Sequence, residues 1–308
     1  MTSTLRPKAL HLDDMIGIFS PSEPLTKERQ GRMQESLDLL ARNFKYRFAT
    51  HALAQTSYMA GSPEERIADI TELLYDDGVQ ALMGSWGGKS ANQLLSALPY
   101  EGFLQARKPI IGFSDVCVLL NAVTAQTGLI TFAGPNIAGK LQESAHWNLG
   151  LITGRTEPPF GQTARENWET VVPGHATGRL FGGNLSTFVL GLAGTPSMER
   201  MEEVVFFWES ASEPPQIIDQ YLACLGNCGF LGRVKAMIVG DVSYQEESRK
   251  ARPVNDVIRQ YAEQYGFPAV RVETFGHHKM ENPAVPIGCK VELDTHRKWV
   301  TCTEAAVD

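Results

Sequence analysis

Apolar residues in the first half of the chain follow two patterns in turn, short unbroken runs and longer stretches with helical spacing. The runs predict buried strands, and the helical spacing predicts helices that pack one apolar face on a sheet. Strands are predicted over 15–19, 45–50, 79–84 and 109–113, and helices over 27–44, 63–77, 89–98 and 115–127. Strict alternation of this kind predicts right-handed βαβ units and a parallel sheet.

The helix predicted over 63–77 has the clearest ends. Ser62 is a good N-cap, and Pro63 suits the first helical position. Glu65 stands where a capping box with Ser62 needs it, and Gly78 can end the helix.

The alternation is lost over about 140–175, where Gly, Pro, Thr and charged residues are frequent, and this predicts a linker or surface loop. The second half mixes apolar strands with helices, and its end alternates like an antiparallel hairpin. The sequence therefore predicts an α/β protein in two domains. Residues 1–140 form a parallel-sheet α/β domain, 141–175 the linker, and 176–308 a mixed α+β domain.

Composition excludes some partners. The chain has 308 residues, and its net charge of −7 argues against a nucleic-acid polymer, whose phosphates call for a basic surface. No apolar stretch approaches the roughly 20 residues that span a bilayer. The N-terminus lacks the apolar core of a signal peptide. We therefore expect a cytoplasmic protein with no membrane partner.

The cysteines are odd in number, and a chain of this length needs no disulfides. Cys224 and Cys228 lie one helical turn apart and could form half of a metal site. No second Cys or His pair at ligand spacing accompanies them, so we expect buried or partly buried structural thiols.

Ser114 follows the fourth predicted strand and precedes the next helix, a position with two interpretations. A serine there can cap the helix by accepting N–H groups of its first turn. It can also be a nucleophile exposed at a tight strand-to-helix turn, where the following N–H and the helix dipole face its oxygen. Gly112 leaves room for such a turn, although Asp115 and Val116 depart from the G-x-S-x-G motif of hydrolases.

A serine nucleophile needs a base, and the base needs an acceptor to orient it. His277 follows an apolar strand and a glycine, whereas neighbouring His278 should face another way. An isolated histidine at a strand end can equally be structural. Glu209 ends an apolar strand, but Asp219 and Asp241 occupy comparable positions, and the residues alone do not choose among the three carboxylates.

The glycine turn "GSWGGKS" at 84–90 is the other candidate site. It meets neither the P-loop nor the dinucleotide motif, which argues against a nucleotide-dependent enzyme. It is either a plain entry into a helix or a turn in which the Gly88 N–H faces an oxyanion, because such a donor needs close backbone approach.

These segments together resemble the LD-carboxypeptidase and microcin-immunity serine peptidase family over nearly the whole chain. The segments that carry the resemblance are "IGIFSPSEP", "YMAGSPEERIADITELLYDDGVQALMGSWGGKSANQLL", "KPIIGFSDVCVLLNAVTAQTGLITFAGPN", "GRLFGGNLSTFVLGLAGTP", "VVFFWES" and "FGHHKMENPAVPIG". Each piece is weak evidence, but six in the same order are specific.

The resemblance implies a Ser–Glu–His triad of Ser114, Glu209 and His277. It also implies an oxyanion hole formed by the backbone of Gly88 and Asp115, a homodimer, and no metal or cofactor. The chain would thus be a serine carboxypeptidase or amidase, with the two domains supplying the triad from opposite sides of a cleft.

The substrate stays open between a muropeptide with an L,D bond and a peptidyl or aminoacyl nucleotide. Trp86 stands where cell-wall enzymes often have Arg, and Lys89 where an aromatic residue is common. With the segments around them, these residues look closer to the microcin-immunity branch. We expect Trp86 and Lys89 to contact substrate, and Trp168 either to stack on a base or to anchor a loop.

A second hypothesis is a non-catalytic protein that binds a small molecule on the same scaffold. A missing triad member would favour it, and the sequence supplies all three. In either case the partner is a small molecule.

Overall fold

The computed structural model describes residues 4–139, 141, 150, 152–154, 168–244, 252–272, 274–278 and 282–308. Most of the linker predicted over 141–175 lies outside these residues. Two sheets with helices packed on them make up the described chain, and this confirms the predicted α/β class with an N-terminal parallel sheet and a C-terminal mixed sheet.

The first sheet has the strand order β11-β5-β4-β3-β1-β2. The first five strands along the chain pair in parallel, and β11 joins the edge strand β5 antiparallel. Its strands are β1 (Met15–Phe19), β2 (Lys45–Phe48), β3 (Ala81–Gly84), β4 (Ile110–Gly112), β5 (Thr131–Ala133) and β11 (Val285–Ile287). The accompanying helices are α1 (Lys27–Leu40), α2 (Pro63–Tyr75), a 3₁₀ helix (Ala91–Ala97), α3 (Tyr100–Ala106) and α4 (Val116–Thr127).

The second sheet has the order β13-β12-β7-β8-β9-β10-β6. Its central strands β7 to β10 are parallel, whereas the outer strands are antiparallel to their neighbours. Its strands are β6 (Glu169–Val172), β7 (His175–Asn184), β8 (Val204–Ser210), β9 (Val234–Val242), β10 (Ala269–Arg271), β12 (Lys290–Asp294) and β13 (Trp299–Cys302). Its helices are α5 (Leu185–Leu192), α6 (Pro196–Glu199), α7 (Pro215–Asn227) and α8 (Val254–Tyr265).

The ends of α2 follow from local chemistry. Ser62 caps the N-terminus, and Glu65 returns the hydrogen bond, which confirms the predicted capping box. At the other end the buried ammonium of Lys108 donates to the carbonyls of Leu73, Leu74 and Asp76. It thereby satisfies carbonyls that have no partner inside a helix.

Helix α4 lies between the two sheets and is buried along nearly its whole length. The side chain of Asn121 bonds both backbone groups of Gly182 on β7. The approach is so close that a β-carbon on Gly183 would lie 2.9 Å from that of Cys117. The helix that begins at the Ser114 turn is therefore joined directly to the second sheet.

Within the described residues, no helix combines the length and the apolar character needed to cross a membrane.

Candidate active site

Ser114 lies between the end of β4 and the first turn of α4, with φ at 61°. This left-handed conformation is strained for a residue other than glycine. A side chain on Gly112 would overlap Val116, so glycine permits the tight turn. The N-cap interpretation of Ser114 is wrong: Asp115 precedes the helix, its side chain makes no cap, and the Ser114 hydroxyl turns to His277 instead.

His277, on the connection from β10 to β11, lies next to the Ser114 hydroxyl. Its Nε2 lies 3.1 Å from Ser114 Oγ, and its Nδ1 lies 2.8 Å from Glu209 Oε2. The His277 backbone N–H donates to the same carboxylate oxygen at 3.2 Å. The imidazole also packs on the Phe113 ring, with centroids 4.8 Å apart. The ring is therefore held in position on one edge by a carboxylate and on one side by an aromatic ring.

Glu209 is fully buried at the end of β8. Its second oxygen, Oε1, accepts a hydrogen bond of 3.0 Å from the Asn184 side chain. Burial alone would lower the pKa of His277, but the hydrogen bond and charge of Glu209 outweigh it, so the pKa is raised. The pair thus favours a charged imidazolium next to Ser114.

The glycine turn lies against the serine. A β-carbon on Gly87 would lie 2.9 Å from Ser114 Cβ and 3.4 Å from the Asp115 N. Gly88 has φ at 146°, and a β-carbon there would lie 2.3 Å from Ser22 Oγ. Both positions therefore require glycine, and they bring the backbone of the turn next to the hydroxyl.

A cavity of about 560 Å³ opens above Ser114 and His277. Trp86 is on its wall, with the Arg29 guanidinium 4.7 Å from the ring centroid. The other lining residues are Glu23, Arg32, Gly87, Gly88, Phe113, Pro135, Asn136, Ala138, Gly139, Gly276 and Asn282. Of the predicted substrate contacts, the structure places Trp86 in this cavity.

The other two predicted substrate contacts lie elsewhere. Lys89 is exposed and is not part of the cavity wall. Trp168 is 7% exposed, and its indole N–H donates to Thr170. The stacking role expected for Trp168 needs an accessible ring face, which this buried ring does not offer. The alternative, a tryptophan that anchors the start of β6, agrees with its burial.

The competing candidates have other partners. Asp219 accepts a hydrogen bond from the Tyr261 hydroxyl at 2.6 Å, and Asp241 lies 3.3 Å from His278. Cys117 is near Ser114 but buried. Burial raises the pKa of its thiol, and the negative charges of Glu209 and Asp115 raise it further. It is therefore a poor thiolate. Cys224 and Cys228 are both exposed, so the expectation that they are buried or partly buried is wrong.

Sequence reasoning missed Asn184 and Phe113. Asn184 caps α5 and ends β7 beside Glu209. Like Ser114, Asn184 is a polar residue at a strand-to-helix turn, and it follows the segment "FGG". This pattern could have marked it as a site residue. Nothing in the pattern indicated that Phe113 contacts a residue far along the chain.

Models of the LD-carboxypeptidase N-terminal domain and C-terminal domain match residues 16–134 and 177–293. A Vibrio cholerae protein named "Putative carboxypeptidase" is 30% identical over 96% of this chain and 99% of its own. The "Probable murein peptide carboxypeptidase" of Bacillus subtilis is 29% identical over 95% and 92%.

The microcin C7 self-immunity protein MccF of Escherichia coli is 26% identical over 96% of this chain and 94% of its own. A structure of MccF in complex with glutamyl sulfamoyl guanosine has a TM-score of 0.85, with 24% identity, and covers 99% of this chain and 100% of that one. This structural likeness shows the fold.

The matches define a hydrolase of the peptidase class on a two-domain α/β fold. The chain belongs to the LD-carboxypeptidase family.

Proposed function

We propose that this protein is a serine carboxypeptidase or amidase that uses Ser114, His277 and Glu209 as its triad. The observation that carries the proposal is the unbroken line of hydrogen bonds from Ser114 Oγ through both ring nitrogens of His277 to Glu209. Nucleophile, base and orienting carboxylate occupy the relative positions that acyl transfer requires. Ser114 follows a strand of the first sheet, Glu209 is at the end of a strand of the second, and His277 lies on the connection between the two sheets. A cavity reaches the serine.

The reaction follows from these positions. His277 Nε2 takes the Ser114 proton as Oγ attacks the carbonyl carbon of the substrate amide. Glu209 accepts from Nδ1, which keeps Nε2 free as the base, and it stabilises the imidazolium that forms. The imidazolium then protonates the leaving nitrogen, and the C–N bond breaks. His277 then deprotonates a water molecule, which attacks the acyl carbon. The ester C–O bond breaks, and the imidazolium returns the proton to Ser114 Oγ.

The oxyanion hole is proposed to consist of the backbone N–H groups of Asp115 and Gly88. Asp115 directly follows Ser114, and Gly88 lines the same cavity as Ser114. Among the described residues neither amide hydrogen has an intramolecular acceptor. Such preorganised donors stabilise the negative charge on the carbonyl oxygen in the transition state. Asp115 also lies at the N-terminus of α4, where the helix dipole adds to this effect.

The substrate is proposed to be a small peptide-like molecule with an amide bond near one end. Two chemistries are candidates, a murein peptide and an aminoacyl or peptidyl nucleotide. Both suit the cavity lining, since Trp86 offers a flat apolar surface while Arg32 and Glu23 supply charge. Any stacking on a nucleobase would fall to Trp86, because Trp168 is buried.

The test offers the purified protein a murein tetrapeptide and an aminoacyl sulfamoyl nucleoside, and follows the released amino acid by mass spectrometry. Ser114→Ala is the control and should release none. Cleavage of neither substrate would remove both substrate proposals. A fluorophosphonate probe distinguishes the alternative: a non-catalytic binding protein should not be labelled at Ser114, whereas the proposed enzyme should be.

A further inference from the structure

The side chain of Asp115, as well as its backbone amide, lies at the proposed oxyanion hole and makes hydrogen bonds there. We propose that the Asp115 carboxylate is a positioning group that fixes the glycine turn to the nucleophile turn and so holds the two halves of the oxyanion hole in register. This inference rests on the proposed function, because it assigns a role within the same site.

The carboxylate of Asp115 points away from its own helix and is 3% exposed. Its Oδ2 accepts three hydrogen bonds, from Ser22 Oγ at 2.6 Å, Ser90 N at 2.8 Å and Ala91 N at 2.9 Å. Bonds to an ionised acceptor are about twice as strong as neutral ones. One oxygen therefore joins three segments: the loop after β1, the exit of the glycine turn, and the start of α4.

The loop after β1 holds the other side of the turn. The Glu23 N–H donates to the Gly87 carbonyl at 3.1 Å. Ser22 Oγ also accepts from the Ser90 N–H at 3.0 Å. Gly88 is thus held at the Gly87 carbonyl before it and at the Ser90 amide after it, and its N–H has little freedom to move relative to Ser114.

Arg66 on α2 balances the buried negative charge. Its guanidinium is fully buried and donates to the carbonyls of Pro21 and Ser90 and to the Ser90 hydroxyl. Burial lowers the pKa of Arg66, and the charge of Asp115 opposes this shift. Ser90 is therefore bonded to a cation and an anion at once, which makes the network costly to break on either side.

Movement of the turn would affect the transition state more than the bound substrate. The oxyanion forms only after attack, and a donor displaced by a few tenths of an ångström loses part of its hydrogen bond to it. The cavity wall made by Trp86 would be largely kept. Loss of the Asp115 carboxylate should therefore lower kcat and leave KM nearly unchanged.

The experiment compares Ser22→Ala with a matched control, Ser20→Ala. Both serines are buried on the same loop, but the Ser20 hydroxyl bonds Ala52 O and Ser85 Oγ and does not touch Asp115. Ser20→Ala therefore loses a bond to the start of the glycine turn but none to the carboxylate. We expect Ser22→Ala to lower kcat by about 10-fold and Asp115→Asn by about 10²-fold, since one oxyanion donor is worth roughly 10²–10³ in kcat. Ser20→Ala should keep wild-type kcat at a similar loss of thermal stability.

A peptide aldehyde, which forms a tetrahedral adduct with serine, gives a second readout. Its inhibition constant should rise in Ser22→Ala and Asp115→Asn by the same factor as kcat/KM falls. Equal loss of kcat in Ser22→Ala and Ser20→Ala, or full kcat in Asp115→Asn, would overturn the inference. If Asp115→Asn does not fold, the serine pair decides. Cleavage by Ser114→Ala would instead overturn the proposed triad.

Discussion

The side-chain amide of Asn121 pairs with the backbone of Gly182, donating to its carbonyl at 2.7 Å and accepting from its N–H at 2.9 Å. Asn121 is on the helix that follows Ser114. Gly182 is on the strand that ends at Asn184, which in turn bonds Glu209. Alignment of the serine with the carboxylate therefore depends on a buried pair that is not part of the cavity wall.

Asn121→Leu should lower the free energy of unfolding by about 2–4 kcal/mol, because each buried backbone group left unpaired costs about 1–3 kcal/mol. It should also reduce kcat/KM, since α4 would shift against β7. Urea unfolding and steady-state kinetics measure the two effects. Gln126→Leu, on the same helix, loses only a 3.2 Å hydrogen bond to Ser197 and is the control. An unchanged unfolding midpoint for Asn121→Leu would contradict the prediction.

Ser114→Gly should abolish activity and yet raise stability above that of Ser114→Ala. Both variants lose the hydroxyl, but only glycine adopts φ near 61° without strain. The expected difference is about 1 kcal/mol, the lower end of the cost of a strained backbone residue. Thermal unfolding of the two variants measures it, and a less stable glycine variant would show that the turn is not strained.

Activity should fall as the pH drops through the raised pKa of His277, because only the neutral ring accepts the Ser114 proton. Stability should change in the opposite direction. The folded-state pKa of His277 lies above the unfolded value of about 6.5. The stability that protonated His277 contributes is therefore complete below about pH 6.5 and is lost as the pH rises through the folded-state pKa. A profile of kcat/KM against pH with its acidic midpoint below about 6.5 would contradict this.

Glu209→Gln should move that acidic midpoint to lower pH, because burial then acts on His277 without the carboxylate that opposes it. It should also lower kcat by about 10³–10⁴, since the ring loses the acceptor that sets its tautomer. Glu213→Gln is the control: Glu213 raises the His277 pKa through its charge alone and should shift the midpoint less. Equal shifts in both variants would argue against the hydrogen bond.

Gly87→Ala should lower kcat/KM by about 10²-fold or more, since displacements near 1 Å in an active site have costs of this size. The new β-carbon would lie 2.9 Å from Ser114 Cβ and force the turn apart. Gly31→Ala on α1, where a β-carbon meets nothing within 4 Å, should be fully active and somewhat more stable. Kinetics and thermal unfolding of the two variants compare them directly.

Local patterns were enough to predict β1 to β4 and the helices α1, α2 and α4 of the first sheet, because apolar period and capping residues act within a few positions. The short strands β5 and β11 were not predicted as part of this sheet. The helix over Tyr100–Ala106 was missed. Its seven residues follow Pro99 and include Gly102, so its propensity is weak, and packing of Phe103 in the core stabilises it instead.

The site residues also differ in how far local sequence predicts them. Ser114 stands out locally as a polar residue at a strand-to-helix turn, but Glu209 could not be separated from Asp219 or Asp241 without the family resemblance. Their difference is one of partners: Tyr261 bonds Asp219, whereas His277 bonds Glu209. Such partners come from distant parts of the chain, and no short-range pattern encodes them.

His277 lies on the stretch between β10, in the second sheet, and β11, which completes the edge of the first. If the gene were divided ahead of residue 168, the N-terminal fragment would lack the edge strand β11. The C-terminal fragment would contain β11 without the rest of the first sheet. The serine would be on one polypeptide and the histidine on its counterpart. Hydrolysis would then report reassociation of the fragments, as a split-enzyme sensor does.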